Sequence, residues 1–348
     1  MTVSANFLFS SLVMEEAGQV LEVETLVPML LQRTENFSDC RLSRIVLIGD
    51  HLQLPPVVKN NVFRSYSHLD QSLFSRLVRM GVPATVLDKQ GRCRPQIAEL
   101  FNYRYSSISG MKSLGNLDTV FSLPEYLTAN AGLLHPFQVI DVPAFKGRGE
   151  FCPTPHFYQN LGEAEYVVAV YQFMRLMGHP AKRISILTTY NGQKQLIRDI
   201  VQTRCKGKLF GAPAIISTVD KYQGQQNDIV LLSLVRTASV GYLRDVRRLV
   251  VALSRARLGL YIFCRQELFE NCLELAPAFN LLKQRSTSAL QLVIGESHPT
   301  ARAVDDNVGT EKVFEVSDVT AMGVLVYQML QQAGKDSTAV STTAGQLK

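Results

Sequence analysis

The chain has 348 residues, of which 46% are hydrophobic and 19% charged, so it is no disordered segment and is long enough for roughly two domains. A net charge of +6 and a pI of about 9.0 permit a polyanionic partner without requiring one. Six scattered cysteines with no CxxC pair argue against a zinc site or disulfide framework and fit a reducing compartment, and no apolar run is long enough to span a membrane without a polar break.

Asn6 to Met14 reads as a core strand ending in Glu15-Glu16, so the sequence opens inside an element, as a fragment would. Gly18 to Gln32 carries apolar residues at helical spacing, and Ile45 to Ile48 is a second short buried strand that ends in Gly49-Asp50. Strand, helix, strand predicts a βαβ unit whose polar groups gather at the carboxyl ends of parallel strands. Leu73 to Phe101 reads as helical around a strand at Thr85–Leu87. Glycines and prolines then interrupt the pattern from Arg104 to Thr154, as in a connector, although Phe137–Val142 has strand character.

Order returns as helices over Glu163–Met177 and Gln193–Arg204, and strands over Ile184–Thr188, Ile215–Thr218, Ile229–Leu234 and Leu258–Phe263. This predicts a second α/β domain with the logic of the first. Regularity fades after Phe279. Asp318–Gln332 is amphipathic, with Val319, Met322, Val326 and Met329 on one face, and Gly334–Lys348 has a disordered composition. The expected domains are 1–103, a connector over 104–158, 159–285, and an extension with a disordered tail over 286–348.

Glu15-Glu16 reads two ways, as carboxylates for Mg²⁺ and an attacking water or as charges favoured by the dipole of the next helix. In Gly49-Asp50-His51-Leu52-Gln53-Leu54-Pro55-Pro56 the prolines fix an extended exit, and Gln53 has the donor and acceptor to sense a phosphate. Gln90-Gly91-Arg92-Cys93-Arg94 places two arginines before a helix, which a solvated surface also explains. Thr188-Thr189-Tyr190-Asn191 caps a strand with hydroxyls that suit either a sugar-phosphate backbone or a helix N-cap. Asp220 to Asp228 holds more polar side chains than a turn needs. Arg244 to Phe263 passes from a short arginine-bearing helix to a buried strand, with Arg255 where the helix surface meets the strand ends and its planar fork suited to phosphate oxygens.

In this order and at these separations, the motifs resemble motifs II to VI of superfamily 1 helicases of the up-frameshift type, over about Leu12 to Phe263. Asn160–Ala169, Ile184–Gln193 and Leu232–Thr237 are similar to the second motor domain of the intron-binding spliceosomal branch. The resemblance implies two RecA-like parallel-sheet α/β domains, the first incomplete at its N-terminus, with ATP and Mg²⁺ as cofactors and the nucleotide bound between the domains.

It further implies that Glu15 holds Mg²⁺, Glu16 is the base or orients water, Gln53 senses the γ-phosphate, and Arg92 and Arg255 stabilise the transferring phosphate. Asp50, Gln90, Gln223 and Gly224 would serve the nucleotide side, and Pro55, Thr188, Tyr190 and Asp220 the nucleic-acid track. The implied activity is an RNA-stimulated ATPase and helicase in pre-mRNA splicing, with single-stranded RNA and spliceosomal proteins as partners, in the nucleus and away from membranes. Two alternatives are a non-catalytic scaffold that keeps the motor fold and a senataxin-like RNA/DNA helicase. The chain departs from the pattern at Gly91, where the family has Tyr, at Gln226 for Glu and at Glu15 for Asp. It also has no G-x-x-x-x-G-K-[ST], the phosphate-binding loop that lies upstream of Glu15 in the family, so this polypeptide alone is expected to be inactive.

Overall fold

The computed structural model describes residues 8–32, 41–58, 60–107, 113–207, 209–284 and 287–345. Contacts group them into two compact units, Met1–Leu87 and Asp88–Lys348.

The first unit contains β1 (Ser11–Met14), α1 (Glu22–Leu30), β2 (Arg44–Leu47), α2 (Asn61–Ser67) and α3 (Leu73–Arg79). β1 and β2 are parallel neighbours with Met14 opposite Leu47, which is the expected βαβ unit. Their expected burial is not found: Val13 is 62% exposed and Ile45, Val46 and Ile48 close to half exposed. Parallel strands are buried by helices on both faces, and a two-strand pair lacks that cover. Val23, Val27 and Leu30 on α1 are likewise exposed. α1 begins at Glu22, because a 3₁₀ turn takes up Ala17–Gln19. No strand forms at Thr85–Leu87; Val86 and Leu87 stay exposed.

The second unit opens with β3 (Lys89–Gln90), α4 (Pro95–Asn102), β4 (Gly115–Asn116), α5 (Thr119–Ser122) and α6 (Pro124–Leu127). Next come β5 (Phe137–Asp141), the hairpin β6 (Glu150–Phe151) and β7 (Gln159–Asn160), α7 (Leu161–Leu176), β8 (Ile184–Thr188), α8 (Asn191–Arg204) and β9 (Ile215–Thr218). The rest are β10 (Asn227–Ser233), α9 (Val246–Leu253), β11 (Ala256–Cys264), α10 (Gln266–Glu270), α11 (Ala276–Lys283), β12 (Leu290–Val293), β13 (Val313–Val316) and α12 (Val319–Gly345).

Five strands form one all-parallel sheet in the order β5-β11-β10-β8-β9, the expected α/β class. β8 is buried at every residue, because helices cover both faces of such a sheet. The stretch expected as a connector supplies β5, the edge strand beside β11. α7 is apolar nearly all round because it lies in the core with α12 packed on it. Val319, Met322 and Val326 are buried on that contact, with Met329 packed beside them. α12 runs to Gly345 through the segment expected to be disordered, and Gln346–Lys348 lie outside the described residues. No helix among the described residues is long and apolar enough to cross a membrane.

Candidate functional site

In the first unit Glu15 and Glu16 leave β1 and Asp50 follows β2, so parallel pairing puts both acidic loops at adjacent strand ends. The loops touch through backbone. Ala17 N donates to Ile48 O at 2.9 Å, and a Cβ on Gly49 would sit 2.8 Å from Gly18 N, so only glycine fits there. Glu16 adopts a left-handed φ of 51°, which for a non-glycine residue costs on the order of 1–3 kcal/mol. Its carboxylate accepts from Gln19 Nε2, and both glutamates are exposed. Asp50 accepts Leu52 N at 2.9 Å and Gln53 Nε2 at 2.8 Å, so the Asp-x-x-Gln spacing is a locked turn that fixes the Gln53 amide. Pro55 lies half-buried between buried Leu54 and Pro56.

In the second unit the expected residues divide between opposite edges of the sheet rather than gathering at the carboxyl edge. At the amino edge, Arg255 immediately precedes β11. Its expected place on the helix surface is not found: it is 2% exposed and spends its fork on Val251 O (2.9 Å), Gln225 O (3.3 Å) and Ser254 Oγ (2.9 Å). Arg92 is the more open arginine. It donates to Gln226 Oε1 at 2.6 Å and Ser254 O at 3.3 Å.

The Gln90 side chain braces the turn beneath, accepting Arg92 N (2.9 Å) and Cys93 N (2.8 Å) and donating to Cys93 O (2.8 Å). Burial pushes the Cys93 thiol up to about 12, with the nearby arginines pulling the other way, so it stays neutral. Gln223 has a buried Nε2 with no hydrogen-bond partner among the described residues, and Gly224, at φ +75°, faces open space. A hollow of about 570 Å³ beside them has a mixed lining, with Lys182, Ser185, Gln225 and Gln226 alongside Ala214 and Ile215, at the size of small-ligand pockets.

At the carboxyl edge Thr188 ends β8 in register with Thr218 and Ser233. It is fully buried, and its Oγ1 has no partner among the described residues, so the expected contact with a strand is closed to it as it stands. Tyr190 is nine-tenths buried and edge-on to Tyr158 and Tyr242, with centroids 5.0 and 4.9 Å away. Arg236 Nη1 donates to its hydroxyl at 3.2 Å.

Val235 takes a φ of +75°, an outlier for a β-branched residue, and this turn delivers Arg236 to the tyrosines. Buried Glu163 holds the turn, accepting Ser233 Oγ (2.6 Å), Val235 N (2.8 Å) and Asn160 Nδ2 (3.2 Å). Burial pushes the Glu163 carboxyl up to about 8 against those donors. Asp220 pairs with Arg248 at 3.5 Å; burial raises its carboxyl pKa and the arginine opposes the rise.

α9 connects the edges. Arg248 in its first turn meets Asp220, and Arg255 just past its end meets Gln225, about 10 Å along the axis. The segment carrying Gln223 and Gly224 is thereby tied to one helix at both ends. Sequence reasoning did not find Glu150, Tyr158, Arg236, Tyr242 or Ser254 as site residues. Their roles arise from contacts between distant segments, and local spacing carries no sign of those.

A family model described as "AAA domain" matches residues 69–267, more than half of the chain, and a second with the same description matches residues 2–61. The chain belongs to the AAA domain family. The chain is 55% identical over 329 residues to the RNA helicase aquarius of Mus musculus, covering 94% of this chain and 22% of that protein. It is 29% identical over 331 residues to the pre-mRNA-splicing factor cwf11 of Schizosaccharomyces pombe, covering 94% of this chain and 24% of that protein. A third relative, the regulator of nonsense transcripts 1 homolog of Arabidopsis thaliana, is 30% identical over 267 residues, or 74% of this chain and 20% of its own length. The chain thus spans about a quarter or less of these relatives, and the expected helicase resemblance and RecA-like α/β class are borne out.

Proposed function

We propose that this chain is the motor portion of an ATP-dependent RNA helicase of pre-mRNA splicing, acting in the nucleus on single-stranded RNA among spliceosomal proteins. The observation that carries this reading is the 55% identity over 94% of the chain to a protein named as an RNA helicase. The splicing factor cwf11 supports the process. The second unit's division into a cationic amino edge and an aromatic carboxyl edge suits nucleotide chemistry at one and strand contact at the other.

Glu15 is the residue that would hold Mg²⁺, and Asp50 lies on the neighbouring strand end. Among the described residues no group of three or more His, Cys, Asp or Glu could hold a metal alone. Mg²⁺ takes one or two protein carboxylates and completes its shell with phosphates and water, a demand that Glu15 and Asp50 would meet. When bound it would neutralise phosphate charge. Glu16 orients the attacking water, and Gln53, fixed by Asp50, reports the terminal phosphate. Arg92 offers charge to the phosphate, while Arg255 anchors the Gln225–Gln226 turn against which Arg92 rests. Gly224 borders the hollow read as the nucleotide side, and with neighbouring Gln223 it relays the state of that hollow through α9 toward Asp220. Tyr190 and its neighbours meet the RNA, with Pro55 and Thr188 beside the track.

A scaffold that has kept the fold without turnover is the second reading. Gly91 favours it, since the family's tyrosine is absent there, as does the buried fork of Arg255. ATP hydrolysis by the longest product of the gene, with and without single-stranded RNA, separates the two. RNA-stimulated turnover supports the helicase; RNA binding without turnover supports the scaffold.

A further inference from the structure

The β6–β7 hairpin brings Glu150 to the carboxyl edge of the sheet, where it meets a residue far along the chain. Glu150 Oε2 accepts Arg236 Nε at 2.9 Å, Thr237 N at 2.5 Å and Ala238 N at 3.2 Å, and Glu150 N donates to Thr237 Oγ1 at 3.0 Å. The ion pair is largely buried, with side chains 14% and 10% exposed. A Cβ on Gly149 would lie 2.6 Å from Thr237 Oγ1, so the hairpin docks with no space left between.

Arg236 has every arm in use. Beyond Glu150 it donates to Tyr190 Oη at 3.2 Å and Ser239 Oγ at 2.6 Å, and its plane lies 4.1 Å over the Tyr158 ring. Each of its three nitrogens already donates, and the side chain is only 10% exposed, so it is turned inward rather than offered to an RNA phosphate. The guanidinium acts instead as the hub of a tyrosine cluster, setting Tyr158 and Tyr190 against each other, with Tyr242 also edge-on to Tyr190. Accessible aromatic rings bind single strands by stacking on bases, and stacking depends on where each ring is held. Burial alone would raise the Glu150 pKa, but Arg236 and the two backbone amides hold it below the usual carboxylate value, so the pair stays charged at neutral pH.

We propose that Glu150 is a positioning residue for nucleic-acid binding: through Arg236 and the buried Tyr190 it holds the half-buried Tyr158 and Tyr242 rings as a stacking surface for a single strand. This rests on the reading that the carboxyl edge carries RNA.

The test is equilibrium binding of a fluorescein-labelled oligouridylate to the 348-residue chain over a range of salt concentrations. Glu150→Gln keeps the shape and an acceptor for the backbone amides, and should weaken binding about tenfold by removing one charge-assisted bond. The slope of log affinity against log salt should stay the same, because no phosphate contact is lost. Glu150→Asp, with the charge kept and the arm shortened, should also weaken binding. Glu150→Gln should add less than about twofold in an Arg236→Gln background, the mark of one shared pathway. Wild-type affinity in both Glu150 variants while Tyr190→Ala binds poorly would overturn the proposal alone, as would full additivity with Arg236→Gln. Wild-type affinity in Tyr190→Ala would remove the RNA reading of this edge and the proposal with it.

Discussion

Arg92 donates to the carbonyl of Ser254 at 3.3 Å across 162 positions of the chain, while the hydroxyl of the same serine accepts from Arg255 at 2.9 Å. The two arginines that the motifs single out are thus joined through one residue, one open and one sealed, and the difference sets their expected behaviour.

Arg255→Ala removes a buried cation and leaves Val251 O and Gln225 O without that donor. It should destabilise the second unit by about 3 kcal/mol, the scale for a broken buried charge-assisted network. Arg92→Ala should cost about 1 kcal/mol or less, since the side chain is partly open. Denaturant unfolding of both variants checks the order. A less stable Arg92→Ala would reverse the assignment.

Asp220→Asn loosens the carboxyl-edge end of α9 by weakening the pair with Arg248. In the longest product of the gene, RNA stimulation of ATP hydrolysis should fall more than RNA affinity does, because the link and not the contact surface is damaged. Equal losses, measured by titration and steady-state turnover, would place Asp220 on the RNA surface instead.

Gly241 has a φ of +66°, and a Cβ there would collide with Tyr190 Oη and lie 2.6 Å from Arg236 Nη1. Gly241→Ala should cost about 2 kcal/mol through backbone strain and displacement of the tyrosine cluster. Its melting temperature should fall together with its affinity for single-stranded RNA. An unchanged affinity would detach Tyr190 from the binding surface.

Glu163 gives the pH dependence. Its carboxyl is ordinary in the unfolded chain, at 4.5, and raised by burial to about 8 in the folded one, so the folded state holds the proton more tightly. Its contribution to stability is full below pH 4.5 and is lost as pH rises through about 8. Unfolding free energy measured across this window should decline with pH in the native chain, with less decline in Glu163→Gln. A native chain that gains stability from this group over the window would contradict the sign.

The second unit's sheet was legible because its strands are buried on both faces. Leu258–Phe263 is a continuous apolar run, and Ile184–Thr188 is apolar at Ile184, Ile186 and Leu187; parallel packing buries both between polar turns. α7 was legible for the same reason. The two-residue β3 and β4 are too short to show any period, and Val86 and Leu87 mimic a strand while lying exposed. The helix beyond Gln332 is written in Ser, Thr, Ala and Gly, whose composition points to disorder. The motifs marked Arg92, Arg255 and Tyr190, but not that Arg255 is sealed or that Glu150 reaches Arg236, since both facts are contacts between remote segments.

The central claim is that the two edges of one sheet do separate work, and paired kinetics on the longest product of the gene test it most directly. Arg92→Ala should lower RNA-stimulated ATP turnover by about a hundredfold or more while RNA affinity stays within about threefold. Tyr190→Ala should lower RNA affinity about tenfold or more, and saturating RNA should restore most of the turnover. If both variants lose affinity and turnover in the same proportion, the edges are not separate and the account fails.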